Sequence, residues 1–275
     1  MKVTLYGLAA RHPAASADSA PALRPAQLAV APGEQVAVVG PSGAGKTTLL
    51  HAIACALKPA AGRIELDGID PWSLPVAQLQ ELRGRLFLAP QAPPLPPRQR
   101  VVTAVLAARL PQQSLFASLR SLLYPTGIAE AQSALTQFDL ADKLWERVDR
   151  LSGGERQRVG LARALVSSAS LWLVDEPLSS LDPSRAALAI ETLTRAARER
   201  GVTLVCTLHQ VDVATRFPRV LGMRDGEIRF DLPAAEVSKE RLATLYAQRE
   251  HELAGAPAAP EDVPAAAVPT APYCR

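Results

Sequence analysis

The stretch GEQVAVVGPSGAGKTTLLHAIACAL constrains this chain more than any other. A polar turn leads into an apolar run, a loop with glycines at 40, 43 and 45 follows, and then comes a run of helix formers ended by Pro59. A continuous apolar strand feeding a helix is the mark of a parallel strand buried on both faces. Residues 40–47, GPSGAGKT, also fit the glycine-rich phosphate loop, a pattern that has meaning only in this strand-then-helix setting. Gly40, Gly43 and Gly45, with Pro41, Ser42 and Ala44 between them, let the backbone curl until successive N–H groups face a phosphate. The helix N-terminus then adds partial positive charge. Lys46 is placed to reach the β- and γ-phosphates of a nucleotide, Thr47 to ligate Mg²⁺, and Thr48 stands beside it. An α/β fold with a parallel sheet is expected.

With 275 residues, 48% of them hydrophobic, the chain can bury a large core, and one α/β domain with subdomains is expected. A net charge of +3 is too mild for a nucleic-acid footprint and fits solubility, with some attraction to an anionic membrane surface. Three scattered cysteines, Cys55, Cys206 and Cys274, have no metal-ligand spacing and suit a reducing compartment, with Cys55 and Cys206 as small buried hydrophobes. There is neither a secretion signal nor a run of about twenty apolar residues, so a cytosolic chain that reaches membranes through partners is expected.

KVTLYGL near the start reads as a strand, and residues 9–26, rich in Ala, Pro and Ser, as a surface loop. GRIELDG (62–68) and GRLFLAPQ (84–91) read as strands. Residues 92–148 break the pattern with a proline-rich connector, APPLPPR, and apolar residues at helical spacing in VVTAVLAARL and over 130–140, as a helical insertion would. Two strong strands, SLWLVDEP (170–177) and VTLVCTLH (202–209), flank an amphipathic helix over Pro183–Arg200. Residues 219–230 read as a hairpin turning at Asp225-Gly226. The domain is expected to cover 1–248, and 249–275, mostly Ala and Pro from Leu253 onward, to be a disordered tail.

Candidate chemistry gathers at strand ends. Asp175 and Glu176 close an apolar strand on adjacent positions, so their side chains go to different sides: Asp175 can hold Mg²⁺ through water while Glu176 polarises the attacking water. His209 ends the next strand at the carboxyl edge, where ligands sit in open parallel sheets, and its imidazole can bond a γ-phosphate or orient the water. Gln91 closes a strand ahead of the connector, where its amide can sense Mg²⁺ and the water as the insertion moves. In LSGGERQRVGLARAL (151–165), Ser152, Gly153 and Gly154 open a helix and leave its N-terminus bare.

These landmarks, in this order, resemble the nucleotide-binding subunit of ATP-binding cassette (ABC) transporters over residues 1–248. GPSGAGKT is similar to Walker A, Gln91 to the Q-loop glutamine, LSGGERQR to the family signature, LWLVDEP to Walker B, SSLD (179–182) to the D-loop and His209 to the switch histidine. The resemblance implies a P-loop NTPase core with an antiparallel β subdomain and an inserted helical one, an ATPase using ATP and Mg²⁺. It also implies two subunits stacked head to tail, with Ser152, Gly153 and Gly154 facing the γ-phosphate of the partner's ATP. His12 aligns with the aromatic that stacks on adenine; Tyr6 is the alternative, though alternation points it into strand packing.

Several further stretches, including SLFASLRSLLYP, LADKLWERVDRLSGG and LHQVDVA, resemble the phosphonate-import ATPase group. That likeness implies import of phosphonate or a related phosphorus oxyanion at the cytoplasmic face of the cell membrane. The implied partners are permease subunits, a substrate-binding protein and a second ATPase subunit, with no nucleic acid. Leu95, Leu115, Phe116 and Leu119 are candidates for the surface of the insertion that docks the permease. Exporter ATPases and soluble ABC complexes share the catalytic motifs and remain the alternatives.

Overall fold

The computed structural model describes residues 1–11, 21–113, 118, 120 and 126–247. His12, Leu115, Phe116, Leu119, Cys274 and the expected tail over 249–275 lie outside the described residues. The chain runs through β1 (Val3–Ala10), β2 (Leu23–Val30), β3 (Gln35–Val39), α1 (Lys46–Ile53), β4 (Ala61–Leu66), α2 (Val76–Gly84) and β5 (Leu86–Ala89). Next come α3 (Val101–Leu106), α4 (Ile128–Thr136), α5 (Gly153–Val166), β6 (Leu171–Asp175), α6 (Pro183–Arg200) and β7 (Thr203–Leu208). It closes with α7 (Val211–Ala214), β8 (Arg219–Arg224), β9 (Glu227–Pro233) and α8 (Lys239–Leu245).

Every residue of β3, β6 and β7 is buried, as strands covered on both faces must be. They form the centre of a sheet ordered β5-β6-β7-β3-β8-β9, parallel except for the β8–β9 hairpin. Asp225 and Gly226 turn that hairpin at φ 53 and φ 78, the paired positive values of a tight two-residue turn. A separate antiparallel sheet, ordered β2-β1-β4, stands against the other. One core joins the two sheets around α1, with Leu49, Leu50 and Leu173 among its members. A larger one lies on the other face under α5 and α6, around Trp172, Phe138 and Phe217.

Three local readings are corrected. The expected surface loop over 9–26 is strand at both ends: residues 9 and 10 finish β1 and residues 23–26 open β2, whose Pro25 is tolerated because β2 is an edge strand and no partner needs that N–H. Helix α1 stops at Ile53 instead of running towards Pro59, because Cys55 turns left-handed at φ 55 and its carbonyl accepts from Arg83 Nη2 at 2.7 Å. Tyr6 does not pack inside its strand: it is 38% exposed, with the Arg63 guanidinium 4.4 Å from its ring centroid.

Within the insertion, residues 92–100 are irregular, and α3 and α4 follow. α3 and α4 pack on α5, and the buried Arg158 of α5 donates to the Phe138 and Asp139 carbonyls at 2.5 and 3.3 Å. Leu95, a candidate for permease docking, packs against the larger core. Arg219 ties the two sheets together. It donates to the Ala29 carbonyl of β2 at 3.0 Å and to Glu34 at 2.8 Å, and grips Asp231 of β9 with two bonds of 2.6 Å.

Candidate nucleotide site

The carboxyl ends of β3, β6 and β7 lie side by side, and the phosphate loop leaves the first of them. At Gly40, φ is 155 and an added Cβ would lie 2.1 Å from the Met223 carbonyl oxygen, so only glycine fits. At Gly45, φ is 94 and a Cβ would meet the Ala22 carbonyl at 2.5 Å. Between them the loop closes on itself through the Ala44 N–H to the Pro41 carbonyl at 3.1 Å, while Ser42 is half-buried and Gly43, at φ 76, is exposed. Lys46 is 4% exposed. Its Nζ donates to the carbonyls of Gly40 at 2.8 Å and Pro41 at 3.2 Å, closing over the hollow that a phosphate oxygen would enter. Thr47 is exposed and available to a metal ion, whereas Thr48 is buried in α1.

At the end of β6, Asp175 is 3% exposed and accepts from Thr207 Oγ1 at 2.6 Å. The same hydroxyl accepts the Glu176 N–H at 2.9 Å, so Thr207 of β7, paired with Asp175 in the ladder, fixes both acids. Glu176 sits at φ 46, a conformation that costs a non-glycine residue about 1–3 kcal/mol and persists only when its surroundings impose it. Here they do: the Gln157 amide reaches its carbonyl at 3.5 Å and its carboxylate meets His209 Nε2 at 2.5 Å and Lys46 Nζ at 3.8 Å. Burial opposes ionisation of Glu176, but the hydrogen bond and charge of His209, and then Lys46, outweigh it and hold the carboxyl below the ordinary glutamate value.

The signature opens α5 with a capping box. Ser152 Oγ accepts the Glu155 N–H at 3.2 Å, and Glu155 Oε2 accepts the Ser152 N–H at 2.8 Å. Capping therefore accounts for Ser152, and in this conformation its N–H is engaged by Glu155, leaving those of Gly153 and Gly154 to face a ligand. Gly154 has a second reason to be glycine, since a Cβ would lie 2.8 Å from the Ser180 carbonyl of the D-loop.

The geometry thus unites Lys46, Asp175, Glu176 and His209 through direct bonds or Thr207. Gln91 stands apart from them, exposed on the loop that follows β5, next to β6 in the sheet. A family profile described as "ABC transporter" matches residues 23–179, more than half of the chain.

The chain belongs to the ABC transporter family.

As an ABC protein it is 64% identical over 277 residues to the phosphonates import ATP-binding protein PhnC 2 of Albidiferax ferrireducens, with 100% of each chain covered. PhnC of a Polaromonas species matches at the same 64% and the same coverage. PhnC 2 of Pseudomonas aeruginosa is 52% identical over 251 residues, 91% of this chain and 92% of that one. Among solved structures, the dimeric post-hydrolysis ATP-binding cassette MJ0796 bound to ADP and Pi has a TM-score of 0.73 at 28% identity. It covers 84% of this chain and 98% of its own. A bacterial Atm1-family ABC exporter with ATP bound gives the same TM-score at 25% identity, covering 91% of this chain and 41% of its own.

An ABC fold is therefore common to import and export, and direction is not written in it. No helix among the described residues is long and apolar enough to cross a membrane. Sequence reasoning missed Thr207, Gln157 and Tyr246, whose hydroxyl accepts the Gly40 N–H. The signal for Thr207 was a hydroxyl near the carboxyl end of a strand whose other residues, after Thr203, are apolar. Gln157 and Tyr246 gave none.

Proposed function

We propose that this chain is the ATPase of an ABC importer for phosphonate or a related phosphorus oxyanion. In this reading it works as a head-to-tail pair at the cytoplasmic face of the cell membrane, with permease subunits and a substrate-binding protein as partners and no nucleic acid. The observation that carries the ATPase reading is the Glu176 carboxylate, held 3.8 Å from Lys46 Nζ and 2.5 Å from His209 Nε2 above the phosphate loop.

Lys46 exchanges the Gly40 and Pro41 carbonyls for the β- and γ-phosphates, which offer it full negative charge. Glu176, kept ionised by its neighbours, orients the attacking water and takes its proton, and His209 holds that carboxylate in place. Ser152, Gly153 and Gly154 of the second copy close the site over the γ-phosphate, and His12 stacks on the adenine. The residues suit Mg²⁺, which needs few protein oxygens and keeps water and phosphate among its ligands: Thr47 is exposed, and Asp175 is fixed by Thr207, with Gln91 able to approach as the insertion moves. Held there, Mg²⁺ would supply positive charge against the phosphates as negative charge develops on them.

Full-length identity of 64% with proteins named for phosphonate import supports the cargo and favours import over the exporter reading. The test is growth of a strain lacking this chain with an organophosphonate as sole phosphorus source. Wild type restores growth and Glu176→Gln does not. Growth that never depends on the chain overturns the cargo.

A further inference from the structure

Tyr246, directly after α8, is fully buried, and its hydroxyl accepts the Gly40 N–H at 3.1 Å across 206 residues of chain. Gly40 is where β3 ends and the phosphate loop begins. The Met223 carbonyl crowds it on one side, and its own carbonyl supports Lys46 at 2.8 Å. The path of the backbone at this residue therefore sets where the loop and its lysine lie.

The far side of the loop is held as well. The Gly226 N–H in the β8–β9 turn donates to the Ala44 carbonyl at 3.1 Å, and the Gly226 carbonyl accepts the Arg24 N–H of β2 at 2.9 Å. Arg224, two residues before Gly226, donates from Nη1 to the Thr244 carbonyl of α8 at 2.7 Å. One hairpin thus grips both the loop and the helix that delivers Tyr246.

We propose that Tyr246 is a positioning residue for ATP binding: through the Gly40 N–H it holds the phosphate loop in its receptive shape, so nucleotide affinity depends on the docking of α8. A buried N–H deprived of its acceptor carries a desolvation penalty, so a loop without the tyrosine hydroxyl turns towards another partner. Restoring the receptive shape then draws on the binding energy of the nucleotide. Asp175, Glu176 and His209 are fixed chiefly by Thr207, Gln157 and each other, and Lys46 meets Glu176 only at 3.8 Å, so the larger effect falls on binding.

The test uses the full-length chain with Tyr246→Phe, which keeps the ring and removes the hydroxyl. Equilibrium ATP binding and steady-state hydrolysis are measured together. Loss of the bond from the Gly40 N–H predicts that Kd and KM for ATP rise about five-fold with kcat within about two-fold of wild type. Arg224→Gln, which loosens α8 but leaves the hydroxyl, should raise KM in the same direction by less. An unchanged KM in Tyr246→Phe, or a fall in kcat at unchanged KM, overturns the proposal. Should Tyr246→Phe fail to fold, Arg224→Gln decides alone: a raised KM supports the proposal and an unchanged one refutes it.

Discussion

Glu176 is aimed by its backbone, and Thr207 fixes that backbone with one hydroxyl shared between the Asp175 carboxylate and the Glu176 N–H. Thr207→Val keeps the shape and deletes both bonds. Kinetics should show kcat reduced about 10- to 100-fold, the cost of losing a hydrogen bond to a charged group, and denaturant unfolding should show a stability loss of about 1–3 kcal/mol, because the buried Asp175 carboxylate and the Glu176 N–H are left without that partner. Titration offers a second check. The folded pKa of Glu176 is depressed, so its stabilising contribution is complete above the unfolded value of about 4.3 and is lost as pH falls through the folded value. The stability difference between wild type and Glu176→Gln in denaturant unfolding should move against the wild type as pH falls below about 4. A difference that holds steady down to about pH 3 contradicts the depressed value. Lys46, Asp175, Glu176 and His209 were legible in the sequence because each ends a local strand or opens a local helix. Thr207 lies 32 residues from Asp175 and gains meaning only from the β6–β7 register.

Elements with strong periodicity or turn chemistry were legible for the same local reason: α6 matches its expected Pro183–Arg200 limits, and Asp225-Gly226 turns the β8–β9 hairpin. β2 and α2 were not. Pro25 and the alanines around it conceal a strand whose partner lies elsewhere in the chain, and α2 buries only Leu82 and Gly84, too little to leave a stripe. Close packing between elements also escapes a linear reading. Gly160 in α5 faces Pro93 of the connector that follows Gln91, and an added Cβ would lie 2.7 Å from the ring. Gly160→Ala should therefore destabilise the chain by about 1–3 kcal/mol in urea unfolding, because a proline ring cannot swing aside. A loss below about 0.5 kcal/mol would mean that the connector shifts freely against α5.

At the scale of the whole molecule, Arg219 and the core around α1 join the two sheets, so β2 is tied to the sheet that carries the phosphate loop. The signature opens α5, whose Gln157 reaches Glu176, and in the head-to-tail pair we propose it would serve the other subunit's nucleotide. Glu176→Gln should bind ATP, fail to turn it over and remain paired. Sedimentation at saturating Mg-ATP should find a dimer, and a monomer there would refute the shared site. The β8–β9 turn carries a last consequence. Surface hairpins ordinarily accept extra residues, and Asp225 is well exposed. Yet the next residue is bonded to Ala44 on one side and Arg24 on the other, so any change of length would pull on the phosphate loop. Tolerance to insertion here follows the hydrogen bonds rather than the exposure, and a reporter sequence spliced into this bend would disturb the site it was meant to observe.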